Sequence, residues 1–279
     1  MDLHGRMKQY EGCYKTIITP RSYIIIRLDG KNFKSYTSKL DKPFDGDFSH
    51  AMDQTTIALC EEFNCKFAYT QSDEISLVIT EIGGSLDAQP QFGNSLQKLC
   101  SLTASVATAK FNEIRNKQFL MNKIENDREL VADAISNNFV GDVVDFPKQA
   151  HFDSRVFVLP NEMEVGNHMI WRQQDAVRNS VSMAAHALLG HSETMNLTGS
   201  EKIAKMINEK DVNWNDYEDK FRHGVIIRKI EVEVPITHGE ALNMAEPEAT
   251  VMRNRLLTDY ETPIFTDNMD YLKDLIPTD

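Results

Sequence analysis

In 279 residues, 42 aspartates and glutamates outnumber 30 lysines and arginines, and the formal charge of −12 excludes a uniformly basic coat for nucleic acid while leaving local basic patches open. An apolar content of 41% excludes a disordered chain and supports a sizeable core, as one large domain or two small ones. No run approaches the roughly 20 apolar residues that span a bilayer, and Met1 to Arg6 leads into polar sequence. A cytoplasmic protein with no membrane partner is therefore expected. The cysteines Cys13, Cys60, Cys65 and Cys100 are expected as reduced thiols; Cys60 and Cys65 are too widely spaced for a zinc knuckle.

Ser22 to Leu28 is short and β-rich, which predicts a strand, and Phe48, Met52, Leu59 and Phe63 then recur at helical spacing across 47–64. Lys66 to Gln71 and Ile75 to Thr80 form two further strands joined by Ser72-Asp73-Glu74 as a hairpin connection. Leu96, Leu99, Cys100, Thr103, Ala107 and Ile114 mark the core face of a second helix, and His151 to Leu159 is a fourth β-type run stopped by Pro160. The second half is expected to be mostly helical. A helix runs from Glu162 to Leu189 and is closed by Gly190; another spans Ser200 to Glu209, capped by Ser200; a β-type return follows at Gly224 to Val234. Beyond Glu246, two prolines and weak periodicity predict partial order at most, in a tail rich in acids (Asp259, Glu261, Asp267, Asp270, Asp274, Asp279).

The order β-α-β-β-α-β is the split-βαβ, ferredoxin-like arrangement of an α+β fold, in which the first and third strands lie side by side and antiparallel. That topology brings Asp29-Gly30 beside Ser72-Asp73-Glu74 at one end of the sheet. Two carboxylates so placed repel unless a hard cation neutralises them, and Mg2+ held by one or two carboxylates plus substrate phosphates is the usual form of such a site. Plain alternatives stand beside each motif. Asp29-Gly30 alone is a common turn, Gly30 to Lys34 reads as a solvated loop as readily as a phosphate cradle, and Lys42-Pro43 reads as a surface lysine before a kink. Arg155 next to Asp153 reads as a partly buried ion pair, and Trp171 to Asp175 as the start of an amphipathic helix.

The ordered set Arg27-Leu-Asp29-Gly30-Lys-Asn-Phe33, Lys42-Pro43, Gln71-Ser72-Asp73-Glu74, Phe152-Asp153-Ser-Arg155 and Trp171-Arg172-Gln173-Gln-Asp175 resembles the family of 3′-to-5′ polymerases that contains tRNA-histidine guanylyltransferase. The resemblance runs from about residue 5 to residue 230 and implies a polymerase palm over residues 1–160, a helical region at 161–245 packed on it, and the acidic tail at 246–279.

The resemblance also implies roles. Asp29, Asp73 and the carbonyl of Gly30 would hold two Mg2+ ions. The backbone of Gly30, Lys31, Asn32, Phe33 and Lys34, with Ser72, would hold a nucleoside triphosphate, and Glu74 would support the site. Lys42 would contact phosphate during activation of the RNA end, and Lys98 would help bind a nucleotide. Asp153, Arg155, Arg172, Asp175 and Asn179 would position tRNA or the second nucleotide. ATP, GTP and other NTPs are the implied substrates, tRNA the implied partner, and a homotetramer built as a dimer of dimers the implied assembly.

Guanylyltransferases of this family carry His-Ile-Asn-Asn-Leu-Tyr-Asn where this chain has Val177-Arg-Asn-Ser-Val-Ser-Met183, retaining Asn179 alone. That pattern is similar to the guanylyltransferase-like branch, which repairs 5′-truncated tRNA by template-dependent addition. ATP would cap the 5′-monophosphate, and the 3′-hydroxyl of an incoming nucleotide would displace AMP; both are phosphoryl transfers that rest on positioning and charge neutralisation. Addition of a single untemplated guanosine is the alternative, followed by an idle nucleotide- or RNA-binding module and a nucleotidyl cyclase-like palm.

Overall fold

A strand buried on both faces needs apolar side chains at consecutive positions, and Tyr23 to Ile26 supplies them. In the computed structural model, which describes residues 1–85, 87–137, 146–235 and 250–278, Ile24, Ile26 and Leu28 enter one core and Tyr23 and Ile25 the other. The chain opens with α1 (Leu3–Gly12), β1 (Tyr23–Gly30), α2 (Phe33–Tyr36), α3 (Gly46–Glu62), β2 (Phe67–Gln71) and β3 (Glu74–Ile79). It continues through α4 (Leu96–Asn126), α5 (Arg128–Ser136), β4 (Phe152–Leu159), α6 (Glu162–Leu189), α7 (His191–Thr194), α8 (Gly199–Lys210) and α9 (Asp219–Arg222). It ends in β5 (Val225–Pro235), β6 (Thr250–Asp259) and α10 (Met269–Leu275).

The strands form one antiparallel sheet in the order β4-β1-β3-β2-β5-β6. Its first four strands have the expected ferredoxin-like order. On one face Met52 and Leu59 of α3 and Phe111 of α4 pack on Ile26, Leu28, Ile75 and Leu77. On the other, Val165 and Met169 of α6 pack with Leu272 of α10 on Ile25, Phe67 and Val78. A smaller core joins Val181 and Ala184 of α6 to Met206 of α8 and Trp214.

Three expectations are corrected. The helix at 199–210 is capped by Thr198, not Ser200: the Thr198 hydroxyl accepts from the Glu201 amide while the Glu201 carboxylate accepts from the Thr198 amide. The tail is ordered over its described residues, with β6 paired to β5 along its whole length and Phe265, Leu272 and Ile276 buried. It is pinned by Gln173, whose Nε2 donates to the carbonyl of Pro263 at 2.8 Å and whose Oε1 accepts from the Phe265 amide at 2.8 Å. Anchors so widely spaced leave no periodicity to read. Finally, Arg155 and Asp153 pair at 3.5 Å on the surface rather than partly buried.

Among the described residues no helix is long and apolar enough to cross a membrane.

Candidate nucleotide and metal site

The site grows from the ends of three adjacent strands. In register, Asp29 faces Glu74 on β3 and Asp153 on β4, and the Gly30 amide donates to the Asp73 carbonyl at 3.1 Å. Gln71 and Glu74 pair across a two-residue turn of Ser72 and Asp73. Ser72 adopts the left-handed region (φ 54°), and its hydroxyl donates to Asp73 Oδ1 at 3.2 Å.

After β1 the chain turns sharply. Asn32 takes the left-handed conformation (φ 58°), the Lys31 amide donates to the His151 carbonyl at 2.8 Å, and Phe33 drops into an aromatic cluster with Phe48, Phe111 and Phe152. This close approach explains the glycine: a Cβ at Gly30 would lie 2.3 Å from the Phe33 ring. Lys31 and Lys34 remain exposed at the surface of this turn.

Burial raises Asp73 above the ordinary carboxylate range, and the nearby Asp29 charge pushes the same way. A cation between the two would relieve both effects. Among the described residues no group of three or more His, Cys, Asp or Glu side chains is arranged to hold a metal. A carboxylate pair whose remaining ligands come from substrate phosphates suits Mg2+, which seldom takes an all-protein cage.

Behind this pair lies a charged network. Glu74 accepts from Arg172 Nε at 2.5 Å, with Arg27 at 3.8 Å. Burial holds Glu74 above its usual range, against the pull of Arg172 and then Arg27. Arg172 also donates to Asp175 at 2.7 Å, as does Arg178. Although burial works against it, Asp175 is held below its usual range by those hydrogen bonds. Trp171, half exposed, lies against the Arg172 guanidinium at 4.3 Å.

Two cavities meet at the hairpin. The larger, about 670 Å³, runs from Lys34, Lys42 and Asp73 to Phe44, Asp53 and Phe221. The smaller, about 370 Å³, is lined by Arg27, Asp29, Glu74, Trp171, Arg172 and Asp175 among others. Ser72, Asp73 and Asn179 border both. Asp29, Asp73, Glu74, Arg172, Asp175 and Asn179 are thus brought together. Arg155 reaches the edge, 4.0 Å from Asp29. Lys42 turns its Nζ to the Thr37 carbonyl at 2.8 Å on the wall of the larger cavity.

Lys98 is not brought in. It is exposed on α4, thirteen residues before the Phe111 that packs on Phe33, about 20 Å along the helix. It is not among the described residues lining either cavity. The resemblance alone had grouped it with the nucleotide; α4 runs along β4, with Thr103 beside Ser154 and Asn112 beside Ala150, so its first turns lie beyond the site.

Residues missed from the sequence include Asp53, whose carboxyl burial pushes up to about 6, opposed by Lys220 and Tyr260. His186 and Ser182, on the α6 face that lines the larger cavity, were also missed. Asp53 sits among the helical core positions of α3, and an acid there was the available signal.

The family model described as tRNAHis guanylyltransferase matches residues 4–160. An uncharacterised protein of Acanthamoeba polyphaga mimivirus is 30% identical over 234 residues, covering 80% of this chain and 76% of that protein. Among solved structures, a bacterial tRNA(His) guanylyltransferase-like protein in complex with ATP superposes with a TM-score of 0.77 at 34% identity, over 100% of both chains. Its complex with GTP gives 0.70 at 34%, over 98% of both. A tRNA(His) guanylyltransferase from Saccharomyces cerevisiae gives 0.60 at 19%, over 89% of this chain and 95% of that one, a likeness of fold.

Proposed function

The chain belongs to the tRNAHis guanylyltransferase family, and from that premise we propose that it is a nucleotidyltransferase that adds nucleotides to the 5′ end of truncated tRNA in the 3′-to-5′ direction, guided by a template base. The observation that carries this reading is the Asp29/Asp73 pair at the junction of two cavities. Each addition needs two phosphorylated reactants at one centre: an activated 5′ end, and an incoming nucleotide that offers its 3′-hydroxyl and keeps its own triphosphate. A single pocket would not accommodate both.

Asp29, Asp73 and the Gly30 carbonyl are the groups that would hold Mg2+. The metal would lower the pKa of the attacking hydroxyl and stabilise the leaving oxygen. The protein's own part is placement. The Gly30 to Lys34 turn with Ser72 receives the triphosphate, and Lys34 and Lys42 add positive charge along the larger cavity. Glu74, fixed by Arg172 and Arg27, keeps the carboxylate end of the sheet rigid. Arg155, Asp153, Asp175 and Asn179 face the tRNA end or the second nucleotide. ATP is the activating nucleotide, and the relative solved with ATP and with GTP supports purine triphosphates as ligands.

Templated repair is preferred over single guanosine addition because Val177 to Met183 lacks the His and two of the three Asn residues of the guanylyltransferase stretch, and because the solved guanylyltransferase-like protein is 34% identical. The description of the family model favours the second reading. Incubating the protein with Mg2+, labelled NTPs and a 5′-truncated tRNA tests the proposal. An extended product supports it; absence of product with every NTP overturns it. The assembly we propose is a dimer of dimers, and an active monomer of 31.8 kDa in light scattering would refute that part.

A further inference from the structure

Many cations of this acidic chain are paired. Lys110 and Lys117 share Glu113, Lys205 lies between Glu193 and Glu209, and Arg172 and Arg178 share Asp175. A different arrangement rims the larger cavity where α2 approaches α6. Lys34 and His186 line the cavity. His191 Nδ1 lies 3.3 Å from His186 Nε2. From α8, Lys202 donates to the Ser182 hydroxyl at 3.0 Å, one helical turn before His186 on the same face of α6. Among the described residues, none of these four side chains has a carboxylate within ion-pair distance.

The four basic groups are close enough to feel one another. His186 is held below the ordinary histidine range first by burial and then by His191, Lys202 and Lys34. Among the described residues no carboxylate offsets that repulsion, whereas a phosphate at this place would offset it and favour protonated imidazole.

We propose that Lys34, His186, His191 and Lys202 form a phosphate track that carries the backbone of the tRNA acceptor end away from the larger cavity. The inference rests on the reading of tRNA as substrate and adds the route the strand takes. A strand is the occupant rather than a nucleotide's triphosphate tail because of the layout. Only Lys34 and His186 line the cavity among these four described residues, while His191 on α7 and Lys202 on α8 stand behind its wall, in contact with the cavity-lining His186 and Ser182. A triphosphate is compact and calls for converging donors; a polyanion that leaves a pocket calls for cations spaced along its exit.

The test compares the wild-type protein with the double variant His191→Asn/Lys202→Gln. Both side chains lie at the surface or half-buried on short polar contacts, so the fold is retained, as a thermal melt checks. Binding of a tRNA transcript lacking its first nucleotide is measured by fluorescence anisotropy between 50 and 200 mM salt, with ATP binding measured in parallel. The expected result is an affinity for tRNA reduced about tenfold, with a log-log salt slope shallower by about one, and unchanged ATP affinity. Unchanged tRNA affinity and slope overturn the track. A loss of ATP affinity with tRNA binding intact also overturns it, by assigning these cations to the nucleotide. A wild-type protein that binds no tRNA at all removes the substrate reading and the track with it.

Discussion

Arg172 and Glu74, 98 positions apart in sequence, meet at 2.5 Å behind the carboxylate end of the sheet. The contact ties α6 to the first residue of β3, and Arg172 extends it to Asp175. Arg172 is nearly buried, so removing it strands the Glu74 charge in a desolvated place. Arg172→Ala is expected to destabilise the fold by about 3–5 kcal/mol and to lower nucleotide addition by more than that loss of folded protein explains. Urea unfolding with activity per folded molecule measures both. An Arg172→Ala variant with unchanged stability would show the pair to be dispensable.

Asp73 carries a raised pKa from burial and from Asp29. A carboxyl raised in the folded state contributes stability below its unfolded pKa and loses it as the pH rises through the folded one, so ionised Asp73 burdens the fold at pH 7. Asp73→Asn is expected to melt at the same temperature as wild type or higher, to lose the stabilisation given by Mg2+ with ATP, and to lose nucleotide addition. A fall in melting temperature without ligands would contradict this placement of the charge.

Asp53 follows the same sign with no part in metal binding. Its folded pKa of about 6 lies above the ordinary aspartate value, so the penalty grows as pH rises from about 4 to 6 and is complete above that. Asp53→Asn is expected to stabilise the protein at pH 7.5 by up to about 3 kcal/mol and to give no gain at pH 4 or below. Thermal melts across that range read the difference directly.

Gly30 packs its backbone against the Phe33 ring. Gly30→Ala forces that ring out of the cluster with Phe48, Phe111 and Phe152, at a cost of about 1–3 kcal/mol. Because the same turn is assigned to the triphosphate, ATP affinity should fall with stability. Calorimetry that finds ATP binding intact would separate the turn from the nucleotide.

The sheet and the carboxylate pair were legible because they depend on local patterns: short β-rich runs, two helices at regular spacing, and a topology that fixes which strand ends are neighbours. The cap at Thr198 was missed by two positions, since Thr198 and Ser200 are both good caps and only Glu201 decides between them. The order of the tail was hidden because Gln173, one residue in the middle of a motif quoted for recognition, holds Pro263 and Phe265 by hydrogen bonds that have no periodicity. Lys98 lies outside both cavities, a position hidden from sequence, which tells which face a helix buries but not how far along the sheet each turn lies. The cluster at His186 and Lys202 depends on α6 and α8 packing together, a long-range contact that neither helix announces alone.

In the proposed repair reaction a template base selects the added nucleotide. Single-turnover reactions with tRNAs lacking their first nucleotide, each carrying a different opposing base, are compared with full-length tRNA-histidine under the same conditions. Without the His and the two Asn residues missing from 177–183, base pairing and stacking in the acceptor stem must orient the 3′-hydroxyl, and misplacement by about 1 Å costs on the order of 100-fold in rate. The nucleotide added should therefore change with the opposing base, and each matched addition should outpace guanosine addition to full-length tRNA-histidine. Faster guanosine addition to the full-length tRNA, whatever the opposing base, would rule out templated repair.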